Sequence, residues 1–272
     1  MIRVAAYQAA PKASFDKRKE QMHDVLQKAD DENIDFICFP EGFLTGYYAQ
    51  ESLARETSLE INGGIFKELL HEICRYRVTL IIGFNELDGD NLFDSVAMIE
   101  NGKLLGIQRQ HYLYHDYFMP GGGYLCLQSK GVSFGVIVCL DSNYFEPARL
   151  LAIQGASILF CPMCNKVSLQ HPYAKRPPYY SQFVARSHEN RSWLIAADWI
   201  WPDDGQLVCP GHSVIYDPDG KEIARSNEDR EQFVITDIPT DRLFHEKGRR
   251  IHGSPLLAQE IATFTRVEDG QK

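Results

Sequence analysis

The sequence predicts an α/β fold in which two mixed sheets are covered by helices. Three observations carry this. Strand-like and helix-like patterns take turns along the 272 residues. Several strand candidates are continuous apolar runs, as buried parallel strands are, while others are the arms of tight hairpins and so antiparallel. Strands this numerous fit two sheets more readily than one.

Each element has its own local signal. "IRVAAYQ" reads as the first strand. Ser14 is placed to cap a helix whose Phe15, Met22, Val25, Leu26 and Ala29 recur at near-helical spacing. "IDFICFPEG" is a short buried strand, and a second helix follows Gly63 and Gly64 with Ile65, Phe66, Leu69, Leu70 and Ile73 on one side. Strand "VTLIIGF" comes next. "DSVAMIENGKLLGIQRQ" is a hairpin, because Asn101 and Gly102 tolerate the positive φ angles of a two-residue turn. After strand "FGVIVC", Pro147 suits the first turn of a helix carrying Ala148, Leu150, Leu151 and Ile153, which Gly155 ends. "SILFCP" is a strand, a helix lies near "YYSQFVARSHENR", and "SWLIAAD" is another strand. A second hairpin, "HSVIYDPDGKEIARS", turns at Pro218, Asp219 and Gly220 before the last strand, "QFVITDIP". Neither linker nor repeat interrupts the series, so residues 1–272 are read as a single domain.

Composition narrows the function classes. The chain is 44% hydrophobic and 24% charged, with net charge −9 and a pI near 5.5. Such a balance argues against a nucleic-acid partner, whose phosphates need clustered Lys and Arg. No apolar run approaches the ~20 residues that cross a bilayer, and Met1 leads straight into a strand with no signal-peptide pattern. The expectation is a soluble cytoplasmic protein without a membrane partner. Seven cysteines, an odd number in such a chain, are expected as reduced thiols. Cys161 and Cys164 have CxxC spacing, but zinc wants two further ligands, and Cys209 with His212 makes only one loose pair. No metal site is predicted.

Charged residues at the strand ends gather on one rim. Glu41 follows an apolar strand by one proline and is either a solvated loop charge or a general base. Cys139 likewise ends an apolar strand and is either a small core residue or a nucleophile. Arg109, Gln110, His111, His115 and Asp116 follow the first hairpin, and Asp141, Glu146 and Arg149 lie just beyond the thiol. Glu146 and Arg149, three apart at a helix start, are expected to form an ion pair.

Four blocks, "FPEGFLTGYY", "CLDSNYFEPARLLAIQGASILFCP", "ARSHENRSWLIAAD" and "GHSVIYDPDG", resemble in order the motifs of the nitrilase superfamily of carbon–nitrogen hydrolases. The resemblance runs from Met1 to about Ile238. It implies a four-layer α-β-β-α sandwich, commonly paired with a second subunit into a homodimer or higher oligomer. It also implies a Glu-Lys-Cys site, with Glu41 as base and Cys139 as nucleophile. The family's arginine-lysine pair after the first hairpin reads Arg109-Gln110 here, so glutamine occupies the lysine position. Lys103, seven residues earlier, is no substitute, and Lys166 in "CNKVS" is a candidate to bring charge to the rim. Asp116 stands where a further glutamate is usual, and Phe145 where a proline is usual.

The resemblance implies a chemistry that uses neither metal nor organic cofactor. A carboxylate takes the proton of the thiol, and the sulfur attacks an amide-like carbon. The N–H of Leu140 would stabilise the oxyanion. Loss of ammonia or amine leaves a thioester, which water hydrolyses. Gln110 can donate a hydrogen bond but brings no charge. Tyr47, Asn165 and Asp198 are further candidates for contact with a small-molecule amide-like substrate. Loops "HPYAKRPPYY" and "DWIWPDD" are expected at the entrance, and the tail from Pro239 to Lys272 is expected to pack on a partner subunit. Two other readings stay open: a catalytically impaired relative that binds or scaffolds, and a redox or zinc role for Cys161 and Cys164.

Overall fold

The computed structural model describes residues 1–168, 170, 181–201, 207–227 and 229–243. In chain order the elements are β1 (Ile2–Gln8), α1 (Phe15–Asp31), β2 (Phe36–Cys38), α2 (Glu51–Thr57), α3 (Gly64–Ile73), β3 (Thr79–Asp88), β4 (Asn91–Glu100), β5 (Lys103–Arg109), β6 (Leu127–Ser129) and β7 (Val132–Val136). Next come α4 (Phe145–Ile153), β8 (Ile158–Pro162), β9 (Val167–Ser168), α5 (Ser181–Asn190), β10 (Trp193–Ala197), β11 (Ile200–Trp201), β12 (Leu207–Pro210), β13 (Val214–Tyr216), β14 (Glu222–Arg225) and β15 (Gln232–Ile238).

Two six-stranded sheets form, in the orders β15-β1-β2-β3-β4-β5 and β14-β13-β10-β8-β7-β6. Both are mixed. β1, β2 and β3 run parallel, as do β7, β8 and β10, while the outer strands of each sheet are antiparallel. The period of two along a strand builds the layers. On β1, Val4 and Ala6 face Phe36, Ile81, Phe134, Phe160 and Ile195 in a core between the sheets. Ala5 and Tyr7 face the other way, onto Met22, Leu26 and Ala29 of α1 and Phe66, Leu69 and Ile73 of α3. Across the second sheet, Leu159, Leu194 and Ala196 meet Ala148 and Leu151 of α4 and Phe183 of α5. The result is the expected α-β-β-α order.

Ser14 caps α1, its hydroxyl accepting from the N–H of Lys17 at 3.3 Å. Three expectations need correction. Ile65 is 56% exposed, because the buried stripe of α3 runs through Phe66, Leu69 and Ile73, one residue away. Leu150 and Ile153 are likewise exposed on α4, whose inner face is Pro147, Ala148 and Leu151. Glu146 and Arg149 form no ion pair, and Glu146 instead lies near the Tyr112 hydroxyl. The first hairpin is also preceded by another: β3 and β4 pair from Leu80 with Ile99 to Asp88 with Asn91 and turn at Gly89, φ 60°.

Candidate active site

Parallel strands deliver the residues after them to one edge of their sheet, and in this fold the segments after β2, β7, β8 and β10 meet there. Glu41 follows β2 and is 1% exposed. Its loop lies flat on Gly83 of β3, where a Cβ would stand 2.5 Å from the nitrogen of Gly42 and 2.9 Å from the Cα of Glu41. The main chain is then fixed from the other sheet. The Glu41 N–H donates to Met163 O at 3.3 Å, and Glu41 O accepts from the indole N–H of Trp199 at 2.9 Å.

Cys139 follows β7 and opens a 3-10 turn, Cys139–Asn143. Its φ is 41°, a left-handed value that non-glycine residues adopt rarely and that costs on the order of 1–3 kcal/mol. Asp141 holds this elbow. Its carboxylate accepts from the N–H of Tyr112 at 2.8 Å, of His111 at 3.1 Å and of Val138 at 3.4 Å. The Cys139 thiol, as a result, lies close enough to the Glu41 carboxyl for each to act on the other's ionisation, and the main chain at Cys164 approaches the same sulfur. The N–H of Leu140 belongs to the first turn, where N–H groups have no acceptor within the helix.

Gln110 follows β5 and is 3% exposed. Its amide nitrogen donates to Glu41 Oε1 at 3.3 Å and to Val138 O at 3.1 Å. A carboxamide has two N–H donors, so both are in use. Gln110 thus ties the Glu41 carboxyl to the segment that delivers the thiol. His111, next in sequence, turns away and is exposed, its Nδ1 2.8 Å from Gly121 O.

Burial sets the charge state of this cluster. It pushes the Cys139 thiol well above its ordinary range, with the Glu41 carboxylate adding to the effect. The same burial, with Asp94 and Cys164 nearby, pushes Glu41 well up from the carboxylate range. Asp141 is pushed up to about 6 by burial, against the pull of its backbone donors. The direction of both shifts favours the neutral thiol.

The other sequence-predicted residues divide into those at this cluster and those away from it. Tyr47 is half-buried beside it, close enough for its hydroxyl to respond to Glu41, Cys164, Cys139 and Asp94. The Lys166 ammonium lies 5.5 Å from the Tyr47 ring centroid, and its charge reaches Cys164 and His115. Asp198 is fully buried, and its oxygens accept from the N–H of Asn165 at 3.1 Å, the Asn165 amide at 2.9 Å and the N–H of Trp199 at 2.9 Å. Asn165 and Asp198 thus engage each other. Asp116 and Lys103 are exposed. Residues 171–180, 202–204 and 244–272, which carry the loop "HPYAKRPPYY", the end of "DWIWPDD" and most of the tail, lie outside the described residues.

Sequence reasoning misses three contributors and names Asp141 without its role. Gly83 and Trp199 carry the Glu41 loop, Asp94 of β4 lies against the Glu41 side chain, and Asp141 braces the elbow. Asp141 has a detectable signal, an acid two residues past the thiol at a strand end. Asp94 has none, since it sits inside a hairpin strand. Cys161 Sγ lies 3.2 Å from Met163 sulfur, and Cys164 bonds Cys209. Among the described residues no group of three or more His, Cys, Asp or Glu is arranged to hold a metal ion.

Comparison with known proteins adds an independent line. A family profile described as "Carbon-nitrogen hydrolase" matches residues 3–243. A nitrilase from Pyrococcus abyssi is 26% identical over 259 residues, covering 93% of this chain and 94% of its own. The structure of Saccharomyces cerevisiae Nit3, a member of the nitrilase superfamily, superposes with TM-score 0.78 at 20% identity, covering 93% of this chain and 95% of that one. An amidase from Nesterenkonia sp. AN1, in a structure with acrylamide added to the active-site cysteine, gives TM-score 0.72 at 20% identity, over 92% and 97% of the two chains.

Proposed function

The chain belongs to the carbon–nitrogen hydrolase family, and from that premise we propose that it hydrolyses a small-molecule amide or related non-peptide C–N bond through a thioester on Cys139. The observation that carries the reading is the close approach of the buried Glu41 carboxyl and the Cys139 thiol, groups that each follow a parallel strand of a different sheet. Nothing in sequence separation brings residues 41 and 139 together. The whole sandwich does.

In this mechanism Glu41 accepts the thiol proton as sulfur attacks the substrate carbon, which avoids a buried thiolate beside a buried carboxylate. The N–H of Leu140 donates to the developing oxyanion, and one preorganised donor of this kind is worth about 10²–10³ in rate. Glu41 returns the proton to the leaving nitrogen and then activates the water that releases the acid. Gln110 keeps Glu41 against the elbow, standing where relatives carry the lysine cation. Tyr47, with Lys166 above it, forms a wall for the substrate. Asn165 and Asp198 support that wall from behind, and Asp116 acts from the exposed loop. Residues 1–272 serve as one catalytic unit that needs no cofactor. Two copies associate through the exposed Tyr144, Phe145, Leu150 and Ile153 of the α4 segment, and the tail beyond residue 239 contributes to that assembly.

Timed treatment with iodoacetamide at neutral pH, followed by peptide mass spectrometry, tests the reading. Cys139 is expected to label faster than the other six cysteines, and Glu41→Gln to remove the advantage. Uniform slow labelling in the wild type would favour a binding or scaffold role instead.

A further inference from the structure

Glu41 has a second carboxyl group against it. Asp94 is 2% exposed, and its side chain is in hydrogen-bonding contact with that of Glu41. Each residue also has one buried oxygen, Oε2 of Glu41 and Oδ1 of Asp94, that meets no donor among the described residues. Two ionised carboxylates do not share a dry contact, and an ionised oxygen buried without a donor is costly. A single proton held between the two groups removes the repulsion and supplies a donor where neither group has one to spare.

Among the described residues, the groups around the pair are mostly acidic or neutral. Asp141 faces Asp94 and adds repulsion. Cys139 and Cys164 act on Glu41, and Tyr47 and Tyr117 both feel the charges of the pair. Gln110 donates only to the other oxygen of Glu41, Oε1.

Resting on the hydrolase reading above, we propose that Glu41 and Asp94 hold one proton between them, and that Asp94 is a positioning residue which acts through Glu41. Burial is what raises both groups, with Asp94 pushed up to about 7. The proton count then closes over the cycle. As the S–C bond forms, the thiol proton passes to the ionised oxygen of the pair, and the carbonyl π electrons move to oxygen. The pair is then neutral, so the negative charge it held at rest is now on the oxyanion. When the C–O double bond reforms, the C–N electrons leave with nitrogen, which takes a proton from Glu41. The pair is back to one proton and the thioester remains. Water then gives a proton to the pair and its hydroxyl to the thioester carbon, and the departing sulfur takes that proton. The net charge of the site stays constant, which makes a resident cation unnecessary for charge balance.

The test is the pH dependence of Cys139 alkylation by iodoacetamide in wild type, Asp94→Asn and Glu41→Gln, each checked for native circular dichroism. Asparagine offers Glu41 an N–H in place of the shared proton, so Glu41 ionises at lower pH. The half-plateau pH of labelling is expected to move acidward by about one unit or more. Asp94→Ser, which also removes the carboxyl, serves if the first variant does not fold, and the same direction is expected. An unchanged or alkaline-shifted profile in a folded variant, with Glu41→Gln still suppressing labelling, overturns the shared proton and leaves the hydrolase reading standing. Wild-type labelling in Glu41→Gln overturns both.

Discussion

A lysine introduced at position 110 would put a charge between the base and the elbow, and the geometry allows its effect to be sized. At the 3.3 Å that separates Gln110 Nε2 from Glu41 Oε1, the attraction between an ammonium and a carboxylate in an effective dielectric of ~20 is about 5 kcal/mol. Most of that is offset by the several kcal/mol needed to bury the ammonium. What remains is the difference between a neutral hydrogen bond, about 0.5–1.5 kcal/mol, and a charge-assisted one, about 1.5–3 kcal/mol. At ~1.4 kcal/mol per factor of ten this is roughly tenfold in rate. An ammonium also has three donors against the two of a carboxamide. The existing bonds to Glu41 and Val138 can therefore be kept while the third proton faces the oxyanion, for which a lost donor costs about 10²–10³. We expect kcat/KM for simple amides to rise by about 10- to 100-fold in Gln110→Lys, measured as ammonia release by a variant with wild-type circular dichroism. Lys166→Met runs alongside. A folded Gln110→Lys variant with unchanged turnover and unchanged Cys139 reactivity would refute the assignment of position 110 to the reacting centre, and a loss in Lys166→Met in that case would give the cation's role to Lys166.

Two further outcomes are expected from features of the fold. Gly83→Ala forces a methyl group into the main chain of Gly42 and Glu41, at 2.5 and 2.9 Å. It should cost about 1–3 kcal/mol in chemical denaturation and abolish the preferential labelling of Cys139; retention of both would mean that the Glu41 loop does not depend on this contact. Leu150→Glu combined with Ile153→Glu changes two exposed apolar side chains of α4. Sedimentation velocity should show dissociation to monomer with the fold intact, and an unchanged sedimentation coefficient would remove α4 from the interface.

The parts of this molecule that can be read from the chain are those where one local rule decides. Ser14 caps a helix because its side chain and the N–H groups beyond it are neighbours in sequence. Glu41 and Cys139 stand out because an apolar strand ends just before each. The long β3–β4 hairpin is harder, since "NELDGDN" is polar enough to read as loop although Asn85 and Glu86 are buried. Burial of polar residues there is a tertiary effect: Glu86 is held by Ser95 and Arg109 from the neighbouring strands. Asp94 is hidden for the same reason. A lone acid in a strand says nothing of what lies over it until Gly83, on the adjacent strand, lets another loop descend onto the sheet. The short strands β9, β11 and β12 have two to four residues each, too few for any periodicity to register.

The three amide groups gathered by Asp141 belong to two separate stretches, the loop after β5 and the end of β7. One small carboxylate thereby couples the start of the loop after β5 to the turn that carries the sulfur, so a displacement of His111 or Tyr112 is passed to the backbone beside Cys139.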